Sequence, residues 1–225
     1  MPNRMPNRMP IDEKCDANCD HLAAIVLCGG RSTRMGQDKA NLSFGAETLL
    51  QRVCRLTALV ADPVVAVAAP EQPLPELATD VLIARDQFPD EGPLGGFLTG
   101  LQCLRQQRPQ QWPDMLIWAS TCDAPFVNTS VIQYLSTQLS QASECSAITV
   151  VHEGHHNPFA AVYRSRILTT VETLFTTGTR KAQTLLQPSN MLTIDSSELL
   201  RFDPELLFLK NVNNQQQLTE AKTHL

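Results

Sequence analysis

Short apolar runs alternate with amphipathic stretches along most of the chain. The apolar runs of strand length are 23–27, 63–68, 81–84, 115–119, 147–151 and 160–163. Apolar residues recur at helical spacing over 48–59, 96–105 and 131–139. Runs of this length predict buried strands, and a repeat near 3.6 residues predicts helices that pack on one face.

Strands that are apolar throughout favour a mostly parallel sheet covered by helices on both faces. We therefore predict an α/β fold over residues 21–225: a single domain with three layers and a doubly wound, Rossmann-like sheet. In such folds ligands bind beyond the carboxyl ends of the strands. Polar residues that directly follow a predicted strand are thus the first candidates for a functional site.

The N-terminal segment has a different character. Its opening MPNRMPNRMP repeats a proline-containing, weakly apolar unit, which predicts a disordered tail over residues 1–20. Cys15, Cys19 and His21 resemble metal ligands only superficially, since no second ligand pair follows at a suitable spacing. The seven cysteines of the chain are scattered, as is typical of buried small residues in a reducing compartment.

Composition narrows the class of partner. The 225 residues are 43% hydrophobic, enough for one sizeable core, and the formal net charge is −5. An acidic chain argues against a nucleic-acid surface. No apolar run approaches the roughly 20 residues of a membrane helix, and no signal peptide is recognisable, so we expect a cytoplasmic protein without membrane contact.

The segment after the first predicted strand carries the strongest chemical signal. It reads AAIVLCGGRSTRMGQDK over residues 23–39. Gly29 and Gly30 mark a turn at which the backbone can approach a ligand closely, and Arg34 and Lys39 place positive charge beside that turn. This combination favours a small anionic ligand such as a polyphosphate.

Two more polar clusters follow predicted strands. Asp86 precedes the loop EGPLGG at 91–96, and Asp123 lies in the segment TCDAP. One cleft at the sheet edge would bring all of these clusters together, and Asp123 could hold Mg²⁺ there with phosphate and water oxygens. The ordinary alternatives are that the charges of 31–39 lie on a solvated helix face and that both aspartates cap helices.

The segment LCGGRSTRMGQDKANLSF resembles the signature of the nucleotidyltransferase superfamily, L-[AG]-G-G-x-S-x-R-M-G-x-x-K. Further segments resemble the molybdenum cofactor guanylyltransferases in the same order and at similar spacing. They are RDQFPDEGPLGGFLTGL, CDAP, NPFAAVYR and KNVNNQQQL. The resemblance covers the chain from about Ala23 to Ala221.

This resemblance implies a nucleotidyltransferase fold and transfer of GMP from magnesium-bound GTP to the phosphate of molybdenum-bearing molybdopterin. Pyrophosphate would leave, and the guanine dinucleotide form of the cofactor would result. The alternatives are a related enzyme that uses CTP or a sugar-phosphate acceptor, and a nucleotide-binding module that delivers cofactor without turnover. Since the product is unstable, contact with molybdenum cofactor synthesis or target enzymes is also expected.

Site residues follow from the same motif match. The nucleotide-binding residues would be Leu27, Cys28, Gly29, Gly30, Lys39, Asp86 and Asp123. Lys39 would bind the phosphates, Asp86 the guanosine half and Asp123 the metal ion. Arg34 would neutralise charge as pyrophosphate leaves, which makes Arg34, Lys39 and Asp123 the catalytic residues.

The acceptor side is assigned from two later motifs. Arg180 and Lys181 fall where the family carries a basic pair, and Asn211 and Asn213 fall in its NVN segment, so the resemblance places all four on the molybdopterin. Their ordinary alternative is a solvated helix start and a turn. The chain also departs from the family near Val67, where an asparagine is common, and this leaves the source of one nucleotide contact open.

Overall fold

The computed structural model describes residues 21–29, 38–186 and 190–225. The strands are β1 (Leu22–Leu27), β2 (Ser43–Phe44), β3 (Glu47–Thr48), β4 (Val64–Ala68), β5 (Val81–Arg85), β6 (Leu116–Thr121), β7 (Ala147–His152), β8 (His155–Arg164) and β9 (Met191–Asp195). The α-helices are α1 (Leu49–Thr57), α2 (Pro93–Gln107), α3 (Thr129–Gln141), α4 (Ile167–Thr176) and α5 (Gln215–Ala221). The tail predicted over 1–20 lies outside the described residues, and the division into a tail and one domain remains a prediction.

The main sheet has seven strands in the order β5-β4-β1-β6-β8-β7-β9. Strands β5, β4, β1 and β6 are parallel, and β9 is parallel to β7. Strand β8 runs antiparallel to both of its neighbours, β6 and β7. The prediction of a mostly parallel α/β sheet is therefore confirmed, with one reversed strand inside it.

Helices cover both faces of this sheet. Alternate residues of β1 point to opposite faces, so Ile25 packs in one core cluster and Val26 in another. The Ile25 cluster contains α2 and α4, and the Val26 cluster contains α1 and α3. This arrangement confirms the three layers that the continuous apolar strands predicted.

Side-chain caps fix where two of the helices begin. Thr48 accepts a hydrogen bond from the Gln51 amide, and the Gln51 side chain accepts one from the Thr48 amide, which starts α1 with a capping box. Asn128 accepts from the Val131 amide and caps α3. Asp123 therefore does not cap α3, and that alternative reading of its role is wrong.

Helix α2 begins three residues earlier than its apolar repeat predicted, at Pro93. The segment GPLGG is thus the first turn of the helix rather than a loop, with Gly92 at the N-cap position and φ at +76°. Gly95, Gly96 and Gly100 carry no side chain that could mark a helical stripe, which hid this start. A Cβ at Gly100 would lie 2.7 Å from Cγ2 of Ile25, so the missing side chains let α2 lie against β1.

Several elements were not predicted. They are the hairpin of β2 and β3, the helices α4 and α5, and the strand β9; β8 is also longer than the predicted run 160–163. The hairpin and α5 share a small core cluster that contains Phe44, Leu49 and Leu218. Among the helices of the described residues, none has the length and apolar character needed to cross a bilayer.

Candidate active site

A cleft of about 790 Å³ opens at the carboxyl ends of the parallel strands. Its walls include Gly29 after β1, Asp86 after β5 and Asp123 after β6. The volume is in the range of small-molecule sites. The structure thus brings together the three polar clusters that were expected to share one cleft, except that Gly30 and Arg34 lie outside the described residues.

The first wall of the cleft is built from closely packed backbone. A Cβ on Gly29 would lie 2.9 Å from the backbone nitrogen of Ala69, a distance that real side chains do not reach. The amides of Cys28 and Gly29 both donate to the carbonyl of Val67, at 2.9 and 3.1 Å. Leu27, Cys28 and Gly29 therefore line the cleft, but the amides of Cys28 and Gly29 are directed at β4.

The thiols beside this wall are neutral groups. Burial, and next the neighbouring Cys54 and Asp38, raise the pKa of Cys28 to about 12, and its thiol donates to the Val67 carbonyl at 3.1 Å. Burial likewise raises the pKa of Cys122, which lines the cleft from the neighbouring strand end. Since the thiolate is the reactive form, neither residue is suited to act as a nucleophile near neutral pH.

The end of β4 presents an apolar surface to the cleft through Val67 and Ala69. Gln72 follows this strand, and its side chain accepts from the Ala69 amide and donates to the Cys28 carbonyl, both at 2.9 Å. Arg85 adds a bond from Nη1 to the Gln72 carbonyl at 2.8 Å. These polar side chains tie the ends of β1, β4 and β5 together through the backbone.

Asp86 directly follows β5 in the cleft wall, and three hydrogen bonds fix its position. Its amide donates to the Ala68 carbonyl at 2.7 Å, and its Oδ1 accepts from the Phe88 amide at 2.9 Å and from the Thr99 hydroxyl at 3.2 Å. Its Oδ2 lies beside Gly96, 3.7 Å from where a Cβ would be. Asp86 does not cap α2, so that alternative is also wrong. The sequence did not single out Thr99, although this residue lies within the helix predicted over 96–105, because no local pattern indicated that its hydroxyl would reach Asp86.

A charged cluster in the cleft joins three distant segments. Lys39 Nζ lies 2.7 Å from Asp123 Oδ2 and donates to Asn213 Oδ1 at 2.8 Å. The Thr121 hydroxyl donates to Asp123 Oδ1 at 2.6 Å. The side chains of Lys39 and Asp123 are 21% and 15% exposed, so the pair is partly shielded from water yet reachable from the cleft.

Local structure explains how these segments meet. Asp38 caps the short helical turn that begins at Lys39, accepting from the Ala40 amide at 2.9 Å. The Val212 amide donates to the Asp123 carbonyl at 2.7 Å and sets the C-terminal segment beside β6. The Asn213 amide donates to the Gln217 side chain of α5 at 2.7 Å. The prediction for Asn213 foresaw its motif but not its contact with Lys39.

The oxygen atoms around Asp123 match a hard divalent cation. They are a carboxylate, the Thr121 hydroxyl and the Asn213 amide oxygen, which are the donor types that Mg²⁺ takes in proteins. Within the described residues no group of three or more His, Cys, Asp or Glu side chains could hold a metal ion. A single carboxylate in a phosphate-binding cleft is the arrangement in which Mg²⁺ keeps waters and substrate oxygens.

The opposite wall includes residues that the sequence did not single out. Asn157 and Phe159, at the start of β8, line the cleft because this strand runs antiparallel to β6. Asn157 Oδ1 accepts from the Phe159 amide at 2.9 Å, and the Phe159 ring meets Phe97 edge to face at 6.2 Å. The segment NPFAAVYR was a signal for this position, although only as part of the family resemblance.

The four residues assigned to the acceptor are in different places. Asn211 lines the cleft, and Asn213 contacts Lys39. Arg180 forms an ion pair with Glu91 and Lys181 is exposed, and neither is part of the cleft wall. The structure thus brings the two asparagines to the charged centre and leaves the basic pair behind the start of α2.

The close packing at Gly29, the sheet edge and the partly buried Lys39–Asp123 pair together fit a nucleotide-binding α/β protein. The family described as the MobA-like NTP transferase domain matches residues 24–194. The chain belongs to this family, and it is a nucleotidyltransferase.

Relatives of known name agree with this assignment. A probable molybdenum cofactor guanylyltransferase of Mycobacterium tuberculosis is 34% identical over 175 residues, which cover 77% of this chain and 83% of the relative. A protein of the same name from Mycobacterium avium is 33% identical over 202 residues, 88% of this chain and 93% of the relative. The fold matches molybdopterin-guanine dinucleotide biosynthesis protein A from Archaeoglobus fulgidus with a TM-score of 0.72 at 20% identity, over 90% of this chain and 97% of that structure.

Proposed function

We propose that the protein transfers GMP from GTP to the phosphate of molybdenum-bearing molybdopterin, forming a guanine dinucleotide cofactor and releasing pyrophosphate. The observation that carries this proposal is the cluster of Lys39, Asp123 and Asn213 in the same cleft as Asp86. The names of the relatives at 33 to 34% identity support the guanine nucleotide and the acceptor.

The reaction needs two anions to be aligned against their mutual repulsion. An oxygen of the acceptor phosphate attacks the α-phosphorus of GTP, and the bond from that phosphorus to the bridging oxygen breaks, so that pyrophosphate leaves with the electron pair. Lys39 binds the phosphates, and Arg34 neutralises the charge on the leaving group. Because the Cys28 thiol is neutral, direct transfer without a covalent enzyme intermediate is the simpler route.

Asp123, assisted by Thr121 and Asn213, would hold Mg²⁺ in this cleft. When bound, the cation would supply positive charge to the phosphate oxygens. In the structure described here Lys39 Nζ contacts the same Asp123 and Asn213 oxygens. Nucleotide phosphates are the ligands that can draw the ammonium group of Lys39 away, so we expect nucleotide and cation to bind together.

The two ends of the cleft would divide the substrates. Leu27, Cys28, Gly29 and Gly30 would face the nucleotide phosphates, and Asp86 would accept a hydrogen bond from the guanosine half of GTP. On the other side Asn211 and Asn213 would serve molybdopterin, whereas Arg180 and Lys181, which the family resemblance also assigns to it, lie outside the cleft wall. Transfer of the labile product would then favour contact with a cofactor synthesis or target enzyme.

The proposal is tested by incubating the purified protein with Mg²⁺, molybdenum-bearing molybdopterin and each of GTP, CTP, ATP and UTP in turn. Of the four nucleotides, we expect only GTP to yield pyrophosphate and a dinucleotide product. Preference for CTP, or for a sugar-phosphate acceptor in a parallel series, would make the protein a different nucleotidyltransferase. Tight GTP binding without any pyrophosphate release would instead favour a delivery module.

A further inference from the structure

The loop that precedes α2 contacts the end of α4 through two aromatic rings. Phe88, in the loop between Asp86 and α2, meets Phe175 near the end of α4 with ring centroids 4.6 Å apart. A Cβ at Gly95 would lie 3.0 Å from Cβ of Phe88, so the first turn of α2 presses on the same loop. The loop 86–92 is thus packed between α2 and the end of α4.

Arg180 adds charged contacts to this packing. Its guanidinium lies over the Phe175 ring, 3.9 Å from the centroid, and its Nη1 donates to the Phe175 carbonyl at 2.7 Å. Its Nε donates to the Glu91 carboxylate. Stacking and a planar set of donors are the features by which arginine holds one orientation where lysine would not. The guanidinium is therefore fixed toward the loop.

Glu91 is at a sensitive position in that loop. It directly precedes Gly92, the N-cap of α2, whose φ of +76° disfavours any residue with a side chain. A Cβ at Gly92 would lie 3.6 Å from the Arg180 carbonyl. At the other end of the same loop, Asp86 is held by the Phe88 amide and the Thr99 hydroxyl. A shift at Glu91 would thus reach Asp86 through the four loop residues between them, and also through the first two turns of α2, which lead to Thr99.

We propose that Arg180 is a positioning residue for the nucleotide half of the cleft. Through Glu91 and Phe175 it holds the loop 86–92 in the shape that presents the Asp86 carboxylate, and it touches no substrate itself. This inference rests on the proposed function only for the identity of the nucleotide. It gives Arg180 a role different from the acceptor contact that the family resemblance implies.

The test compares Arg180→Ala, Glu91→Ala and the double variant by calorimetric titration with GTP and Mg²⁺ and by steady-state kinetics. We expect each single variant to raise the Kd and KM for GTP about fivefold, with little change in kcat or in the KM for molybdopterin. A partly exposed ion pair supported by an aromatic ring justifies an effect of about this size. The double variant is expected to bind GTP as tightly as either single variant, because each single substitution already removes the same contact.

Three further variants sharpen the result. Arg180→Lys keeps the charge but loses the stacked, fixed orientation, so we expect it to restore GTP affinity only in part. Arg105→Ala removes an exposed arginine in the last turn of the same helix α2 and should leave the Kd unchanged. Glu144→Ala removes an exposed carboxylate far along the chain and is the control for Glu91→Ala. Thermal unfolding of each variant detects any general loss of structure.

The opposite result is equally clear. If Arg180→Ala raises the KM for molybdopterin while Glu91→Ala has no effect and the Kd for GTP is unchanged, the positioning role is wrong and a direct acceptor contact is supported. If the unaltered protein prefers another nucleoside triphosphate, the guanylyl proposal fails, and the same variants are compared with that nucleotide. If it binds no nucleotide at all, both proposals are overturned.

Discussion

The two halves of the cleft are held together by different means. In the nucleotide half, Gly29 lets the backbones at the ends of β1 and β4 pack closely, and Asp86 is fixed by an amide and a hydroxyl of neighbouring residues. In the transfer half, Lys39, Asp123 and Asn213 come from segments far apart in sequence and meet through their side chains. The first half is shaped before any ligand binds, whereas in the second half the charged groups neutralise one another until phosphates replace them.

The nucleotide half depends on close packing, whereas the transfer half depends on charge. A closely packed region has no space for an added methyl group. A substitution there is therefore expected to lower the free energy of unfolding. A charged cluster can exchange partners because each group retains strong attraction for an incoming ion. The experiments below alter one half at a time and measure both binding and stability.

Asp123→Asn is expected to have the largest effect. The amide retains an acceptor for the Thr121 hydroxyl, so the fold should persist, but the carboxylate charge for Mg²⁺ is lost. Losses on the order of 10²–10³ in kcat are typical when one such electrostatic group is removed. Pyrophosphate release at increasing Mg²⁺ is the measurement, and Asp80→Asn, at an exposed carboxylate, is the matched control. Unchanged turnover would refute the role of Asp123.

Lys39→Met should separate the two ligands of the transfer half. Removing the ammonium leaves oxygens of Asp123 and Asn213 without their present donor, so Mn²⁺ added alone should bind more tightly, and GTP should bind on the order of 10-fold more weakly. Electron paramagnetic resonance of free Mn²⁺ and a GTP titration measure the two effects. Parallel changes of both affinities would contradict the exchange of partners described above.

A pair of glycine substitutions tests the nucleotide half. Gly29→Ala would put a methyl group 2.9 Å from the Ala69 nitrogen, and we expect a loss of about 1–3 kcal/mol in the free energy of unfolding. Gly96→Ala meets Leu27 only at 3.4 Å and lies within α2, so stability should be kept while the Kd for GTP rises. Urea unfolding and GTP titration of both variants decide the matter. Equal losses of stability would show that the two glycines have the same role.

Near neutral pH the buried thiols have the smallest effect, because they act only through a pH dependence of stability in the alkaline range. Burial raises the pKa values of Cys28 and Cys54 to about 12, above their ordinary 9.0, so the folded state holds these protons while the unfolded state releases them. Stability is therefore complete below about pH 9 and falls between pH 9 and 12, by up to about 1.4 kcal/mol per pH unit for each thiol. Above pH 9, Cys28→Ala should show a flatter decline than the unaltered protein. Equal slopes would contradict the raised pKa.

Much of this architecture could be predicted from local pattern. The apolar runs located the core strands, and the rule for parallel sheets placed Lys39, Asp86 and Asp123 at one edge. The start of α2 could not be found because its glycines have no side chains to form a stripe. The antiparallel direction of β8 is decided by pairing with β6, which no local pattern contains. For the same reason Asn157 and Phe159 were not singled out.

The ion pair between Arg180 and Glu91 also could not be predicted from the sequence. Glu91 and Arg180 are 89 positions apart, and their meeting depends on α4, which the apolar pattern did not reveal. The family resemblance assigned Arg180 to the acceptor from its motif alone. Long-range contacts of charged side chains are the features that periodicity and composition predict least.

The contact between Lys39 and Asn213 has a consequence for how the protein is made. The two residues are 174 positions apart, and a ribosome delivers them in that order at roughly 5–20 residues per second. For some seconds the nascent chain holds Lys39 and Asp123 but not the asparagine that completes the cluster. We expect the chain to be inactive during that interval. An incomplete translation product would bind the cofactor precursors weakly and would not convert them.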